Sequence, residues 1–292
     1  MGEFPSWFSN NSQSQIYYLN PRFDDNGEPL LCVWKRADNY FHLRYSDHTE
    51  FLVSDNGSSV FARWPETLTL EDTATYLLGP ILAFVLLLRG IVSLHASAIA
   101  IDNRVVVLVG PAGAGKSTTA AAFARKGYSI LSDDVAIIDD HGLQFFVQPS
   151  YPRIRLWPES VRTLCGADDA LPLLTPTWGK RFLDLTTDEY RFQTDALPLA
   201  GIYILEERLN NIDLPKVTKS SFGEGLKALV ANTYATYLKD KRMRAQEFDL
   251  LGRLVSNVPV RLLTPHEDPA YLDRLCAVVV EDFQQQESVR NV

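Results

Sequence analysis

At 292 residues the chain is long enough for one large domain or two modest ones, and 46% hydrophobic with 22% charged residues is an ordinary globular composition. A formal charge of −8 excludes the basic excess with which proteins hold nucleic acid or anionic membrane surfaces. Three widely spaced cysteines, Cys32, Cys165 and Cys276, form no C-x-x-C pair; this excludes a disulfide framework or a thiolate zinc site and predicts a reduced, cytoplasmic protein.

Met1–Ser12 is polar and aromatic, which is not the pattern of a signal peptide. From Gln15 to about Trp64, short runs rich in aromatic and β-branched residues (Ile16–Leu19, Leu30–Trp34, Phe41–Tyr45, Phe51–Val53) alternate with Asn26-Gly27 and Asn56-Gly57 turn signals. They predict a β-rich N-terminal unit over residues 1–69, with residues 70–292 forming the main domain. Leu70–Leu88 predicts a helix stopped at Arg89-Gly90. Within Tyr76–Leu94 only Ile81–Leu88 is free of breakers and charge, too short to span a bilayer, so a buried helix is expected.

Leu94–Ile101 and Arg104–Val109 predict strands turning at Asp102-Asn103. A glycine loop, Gly110–Gly115, then precedes an alanine-rich helix, Lys116–Arg125, stopped at Gly127. Ser129–Leu131 predicts a short strand ending in Ser132-Asp133-Asp134, and Val135–Ile138 an extended run. Pro149–Pro158 and Leu171–Lys180 are proline-punctuated and expected to be irregular. Ala200–Leu205 and Val258–Leu263 predict strands; Ser221–Leu238, Lys241–Ser256 and Pro269–Phe283 predict helices; the polar Gln284–Val292 tail is expected to fray.

Gly110-Pro111-Ala112-Gly113-Ala114-Gly115-Lys116-Ser117 satisfies G-x-x-x-x-G-K-[ST]. Such a loop curls backbone N–H groups around phosphates, and the following helix contributes the positive end of its dipole. ATP is the expected ligand over GTP, because no N-K-x-D guanine motif is present. Gly110, Ala112, Gly113, Ala114, Gly115 and Thr118 are then cradle residues, Lys116 a phosphate ligand, and Ser117 a ligand of Mg²⁺. Asp133 and Asp134 end the next strand, where one carboxylate can serve the metal, with Asp134 assigned beside Ser117. The other can take a proton from an attacking hydroxyl; the residues alone do not say which does which.

Leu94-His95-Ala96-Ser97, the phosphate loop, and Gly127 through the Asp133-Asp134 pair together resemble the C-terminal domain of HPr kinase/phosphorylase, over about residues 95–135. The resemblance implies an α/β P-loop kinase domain of the HPr kinase/phosphoenolpyruvate carboxykinase type, transfer of phosphoryl from ATP to a protein serine, and often a homo-oligomer. It also places His95 near the phosphates, although a lone strand histidine otherwise reads as core. The family's Glu-Ile-Arg-Gly stretch, with its metal-side Glu, is missing, and Gln148–Trp157 stands in its place. There Arg153 and Arg155 share a face if extended, either clamping an acidic group or simply solvated. Lys180 and Arg181 form a second basic pair, read either as charge neutralisers or as an exposed loop.

Tyr151–Trp157 and Asn232-Thr233-Tyr234 are similar to HPr-kinase-like proteins that modify lasso-peptide precursors. The implied substrate is a serine of a peptide or protein, with no nucleic acid or membrane partner. The alternatives are a kinase of a small hydroxylated molecule, or a nucleotide-binding regulatory module without efficient catalysis.

Overall fold

The early β signals form a five-stranded antiparallel meander. In the computed structural model, which describes residues 4–6, 8 and 14–290, its strands are β1 (Ser14–Leu19), β2 (Leu31–Arg36), β3 (Tyr40–Tyr45), β4 (Glu50–Ser54) and β5 (Val60–Arg63), paired in sequence order. The reading of residues 1–12 falls largely outside the described residues. Two helical segments follow, α1 (Leu70–Tyr76) and α2 (Leu82–Leu88), joined by a π-helical turn over Leu77–Ile81. Pro80 lies in that turn and has no N–H to donate, which widens the ladder there.

The expected boundary at residue 69/70 moves to residue 91. Ile81 and Phe84 are buried among Leu31, Phe41, Leu43 and Phe51 of the sheet, and the Phe84 ring meets Phe41 edge-on at 5.2 Å. An apolar helix and a half-covered sheet each need the other's face, so α1–α2 belong to the N-terminal unit. Leu70–Leu88 has the length and composition of a membrane span, with a mean hydropathy of 1.5. Thr175–Trp178 and Ala235–Arg244 join the same unit. The Thr177 hydroxyl donates to Asp72 Oδ1 at 2.5 Å, and Asp72 also closes the capping box of α1 with Thr69.

The second unit comprises Val92–Leu174, Gly179–Tyr234 and Ala245–Val292. Its elements are β6 (Val92–Ile101), β7 (Arg104–Val109), α3 (Lys116–Arg125), β8 (Ser129–Ser132), β9 (Val135–His141), β10 (Gln144–Gln148), β11 (Arg153–Leu156) and α4 (Pro158–Cys165). They continue with β12 (Arg181–Asp184), β13 (Arg191–Phe192), β14 (Leu197–Leu205), β15 (Lys216–Lys219), α5 (Phe222–Ala231), α6 (Lys241–Asn257, of which the part from Ala245 on belongs here), β16 (Val260–Thr264) and α7 (Leu272–Arg290). The phosphate-loop strand β7 runs parallel to β14 and antiparallel to β6, and β14 is parallel to β16. The pairings β6–β7–β14–β10–β9–β6 close a ring.

Side chains of β7 alternate between two cores. Val106 and Leu108 pack with the alanines of α3 and with Leu275 and Val279 of α7; Val105, Val107 and Val109 pack with Leu229, Leu251 and Leu254 of α5 and α6. Period-2 alternation with helices on both faces makes this an α/β layer structure.

Three local expectations change. Arg153–Leu156, expected to be irregular, pairs with Arg181–Asp184, so strand pairing absorbs the backbone groups that the neighbouring prolines leave available. The helix expected to run to Leu238 stops at Ala231, where Asn232 is the C-cap and Ala235 adopts a positive φ of 52° that a helix cannot accommodate. The tail expected to fray instead continues α7 to Arg290, held by Glu287 to Arg104 and by Gln286 to Asp282.

Phe84→Ala should lower stability by about 3–5 kcal/mol, the cost of a buried aromatic cavity, read as a fall in the urea midpoint. A second outcome concerns Glu50, whose carboxylate is half-buried. Burial alone would raise its pKa, but His42 Nε2 and Arg63 approach it at 2.6 Å each and outweigh burial, holding it below the ordinary value. A depressed folded pKa contributes stability above the ordinary carboxylate pKa of about 4.3, and that contribution is lost as pH falls through the lower folded value. Urea midpoints of Glu50→Gln should therefore fall below wild type at pH 7, with the deficit closing as the pH drops toward about 3.

Candidate active site

The phosphate loop leaves β7 at Gly110, which has a φ of +155°, and a Cβ there would lie 2.8 Å from the Leu205 carbonyl oxygen of β14. Strand and loop can approach that closely only with glycine. The Gly110 N–H donates to the Asn232 side chain at 3.2 Å, and its carbonyl accepts Lys116 Nζ at 2.7 Å. Gly110 thus sits at the start of the loop, held by these contacts, and is not among the residues that line its cavity. Ala112, Gly113, Ala114, Gly115, Lys116, Ser117 and Thr118 do line a cavity of about 460 Å³. Burial holds the Lys116 ammonium below its ordinary pKa, and Asp133 and Asp134 oppose that effect.

Asp133 and Asp134 are adjacent in sequence but diverge in space. Asp134 has a φ of +79°, a left-handed conformation that costs a non-glycine residue roughly 1–2 kcal/mol. Asp133 is 1% exposed; its Oδ1 accepts Ser97 Oγ at 2.7 Å and its Oδ2 accepts the Arg155 N–H at 3.1 Å, and the nearby Ser117 hydroxyl favours its charged form. Burial raises its pKa, and these donors only partly offset that. Asp134 sits instead with His95 Nδ1 at 3.1 Å, with the Tyr234 hydroxyl, and with the Arg155 guanidinium at 3.4 Å. Burial pushes Asp134 up as well, but the His95 bond and charge, Arg155 and Tyr234 prevail and hold it below the ordinary carboxylate range. The two carboxylates thus keep different company, Asp133 with Ser97 and the Arg155 N–H and Asp134 with His95, Tyr234 and the Arg155 guanidinium.

His95, Lys116, Asp133 and Asp134, from three separate segments, all line the one cavity. The four basic candidates divide. Arg155, 9% exposed, and Lys180 line it, whereas Arg153 lies over the Phe182 ring at 4.4 Å and Arg181 donates to the Leu171 carbonyl at 2.8 Å. Burial lowers the Lys180 pKa, with the two aspartates opposing.

Sequence reasoning assigned no role to Ser97, Asn232 or Tyr234. Ser97 lies on β6, and the early end of α5 places the other two: His95 N–H donates to the Asn232 carbonyl at 2.7 Å and Tyr234 N–H to the Ser93 carbonyl at 3.2 Å. The segment thereby joins β6 as an extra rung, and Tyr234 OH meets His95 Nδ1 at 2.9 Å. The Asn-Thr-Tyr run was the available signal. Arg208, His266 and Tyr271, also on the cavity wall, carried none.

The donors suit a hard cation. Ser117 and Asp133 offer hydroxyl and carboxylate oxygen, and Mg²⁺ is commonly held by one or two carboxylates together with substrate phosphates. Among the described residues no cluster of three or more His, Cys, Asp or Glu could hold a metal by protein ligands alone.

No protein-family model matches the chain, and no curated protein matches it in sequence. Among solved structures, the Hpr(Ser) kinase/phosphatase from Coxiella burnetii is similar at 12% identity and a TM-score of 0.39, covering 67% of this chain and 98% of that one.

Alanine at two loop glycines should separate space from strain. At Gly113, with a φ of +82°, a Cβ meets nothing within 4 Å, so Gly113→Ala should cost only the left-handed penalty of about 1–2 kcal/mol. Gly110→Ala adds the clash with Leu205 and should cost more, as measured by urea unfolding of both variants.

Proposed function

We propose that the chain is an ATP-dependent kinase that transfers the γ-phosphoryl group to a serine hydroxyl of a peptide or protein, a lasso-peptide or other modified-peptide precursor being one such substrate. The observation that carries this reading is a phosphate loop facing a split carboxylate pair in one cavity, with Asp133 beside Ser117 and Asp134 beside His95. The motif-level resemblance to HPr kinase supports the same reaction class.

The loop N–H groups and Lys116 bind the β- and γ-phosphates. Ser117 and Asp133 would hold Mg²⁺, which when bound neutralises phosphate charge. Asp134, ionised at neutral pH because its donors outweigh burial, accepts the acceptor's proton. As the serine Oγ–phosphorus bond forms, the bond from the γ-phosphorus to the bridging oxygen breaks and ADP leaves. His95 and Tyr234 fix the Asp134 carboxylate, and Arg155 and Lys180 neutralise charge on the transferring group.

Incubation with γ-labelled ATP, Mg²⁺ and serine-containing peptides or a carrier protein tests this. Label should reach serine. Lys116→Ala should abolish ATP binding, and Asp134→Asn should keep binding while slowing transfer about 10²–10⁴-fold. If ATP binds tightly yet no serine acceptor takes label, the serine-kinase reading fails in favour of a small hydroxylated acceptor or a regulatory nucleotide module.

A further inference from the structure

The cavity lining combines two chemistries. His95, Asp133, Asp134, Arg155 and Lys180 bring charge. The turn after β16 and the start of α7 contribute a wall in which Pro265, His266, Tyr271, Leu272 and Leu275 are apolar or aromatic and Glu267 and Asp268 are acidic. The His266 and Tyr271 rings are stacked, with centroids 4.0 Å apart and planes at 19°.

This wall is shaped by polar bonds made within it. The Asp268 N–H donates to His266 Nδ1 at 2.9 Å, so the ring proton resides on Nε2, which is a donor. Asp268 Oδ1 caps the short turn at Pro269–Tyr271 through the Ala270 N–H. Glu267 takes the Asn210 side chain at 2.5 Å. A parallel bridge between Leu209 and His266, with Leu209 N–H to Pro265 O and Glu267 N–H to Leu209 O at 3.1 Å each, locks the wall to the segment carrying Arg208. That arginine lies over the phosphate loop, since a Cβ on Gly115 would sit 2.8 Å from its guanidinium nitrogen.

We propose that this wall is the nucleoside half of the site: a purine base adds its face to the His266–Tyr271 stack, and Arg208 bridges from there to the phosphates bound by the loop. The inference rests on the nucleotide reading above and gives it a direction. The base lies toward Pro265–Leu275, and the acceptor hydroxyl enters from the His95–Asp134 side, where the proton-accepting carboxylate is. A flat π-face against aromatic rings recognises any base, while His266 Nε2–H supplies a donor for a purine ring nitrogen.

The test titrates the full chain with MgATP, MgGTP and magnesium tripolyphosphate by calorimetry. Base stacking on aromatic rings is typically worth enough that His266→Ala or Tyr271→Ala should weaken ATP about ten-fold or more. Tripolyphosphate, which has no base, should bind both variants within about two-fold of wild type, and this also reports that the loop remains folded. Arg208→Ala should weaken ATP and tripolyphosphate alike. If His266→Ala and Tyr271→Ala leave ATP affinity unchanged, or lower ATP and tripolyphosphate equally, the base does not use this wall and the inference is overturned while nucleotide binding stands. If the wild type binds neither ATP nor tripolyphosphate, the nucleotide reading itself fails and takes this inference with it.

Discussion

The left-handed backbone at Asp134 is the constraint on which the site turns. Consecutive side chains on a strand point to opposite faces, and a strand end that simply ran on would send one of the two carboxylates away from the cavity. The turn at a φ of +79° keeps both on the cavity wall while separating their partners, Ser97 and Ser117 for one and His95, Tyr234 and Arg155 for the other. Two like charges so close are costly in a buried place, and the division of donors answers that cost. Asp133 sits where burial dominates, and Asp134 where hydrogen bonds and positive charge do.

The conformation persists because the surroundings over-determine it. Ser132 Oγ donates to the Val135 carbonyl across the turn at 2.6 Å, the Arg155 backbone pins Asp133, and Asp134 O accepts the Ala96 N–H of β6 at 3.3 Å. β6 is therefore a shared frame. It carries Ser97 into the buried core and His95 into the cavity, receives the Asn232–Tyr234 segment on its backbone, and pairs with β7, which delivers the phosphate loop. Side chains that line the cavity from distant parts of the chain are set by strand register rather than by loop flexibility.

The loop lysine shows a similar balance of local forces. The ammonium of this buried residue, 7% exposed as a whole, donates to the Gly110 and Pro111 carbonyls of its own loop. The same short side chains that let the loop curl also leave carbonyls open to it. A buried cation is tolerated because it is hydrogen-bonded and faces two carboxylates.

What the sequence determined by itself was local in origin. The strand, glycine loop and helix over residues 104–125, the adjacent carboxylates and the β-rich start all follow from short-range glycine placement and hydrophobic period, and each such element forms where it was expected. What lies between residues far apart in the chain was not legible. The alternatives left open for Arg153, Arg155, Lys180 and Arg181 divide only in the folded chain, where Arg155 and Lys180 line the cavity, Arg153 stacks on Phe182 and Arg181 meets the Leu171 carbonyl. The unit boundary depended on which apolar face α2 found, and hydrophobic pattern records that a face is buried without recording against what. Likewise the end of α5, the role of Tyr234, and the wall of Arg208, His266 and Tyr271 were decided by tertiary packing. A left-handed residue, a parallel bridge or a ring stack formed across long stretches of chain leaves no periodic mark in the sequence that builds it.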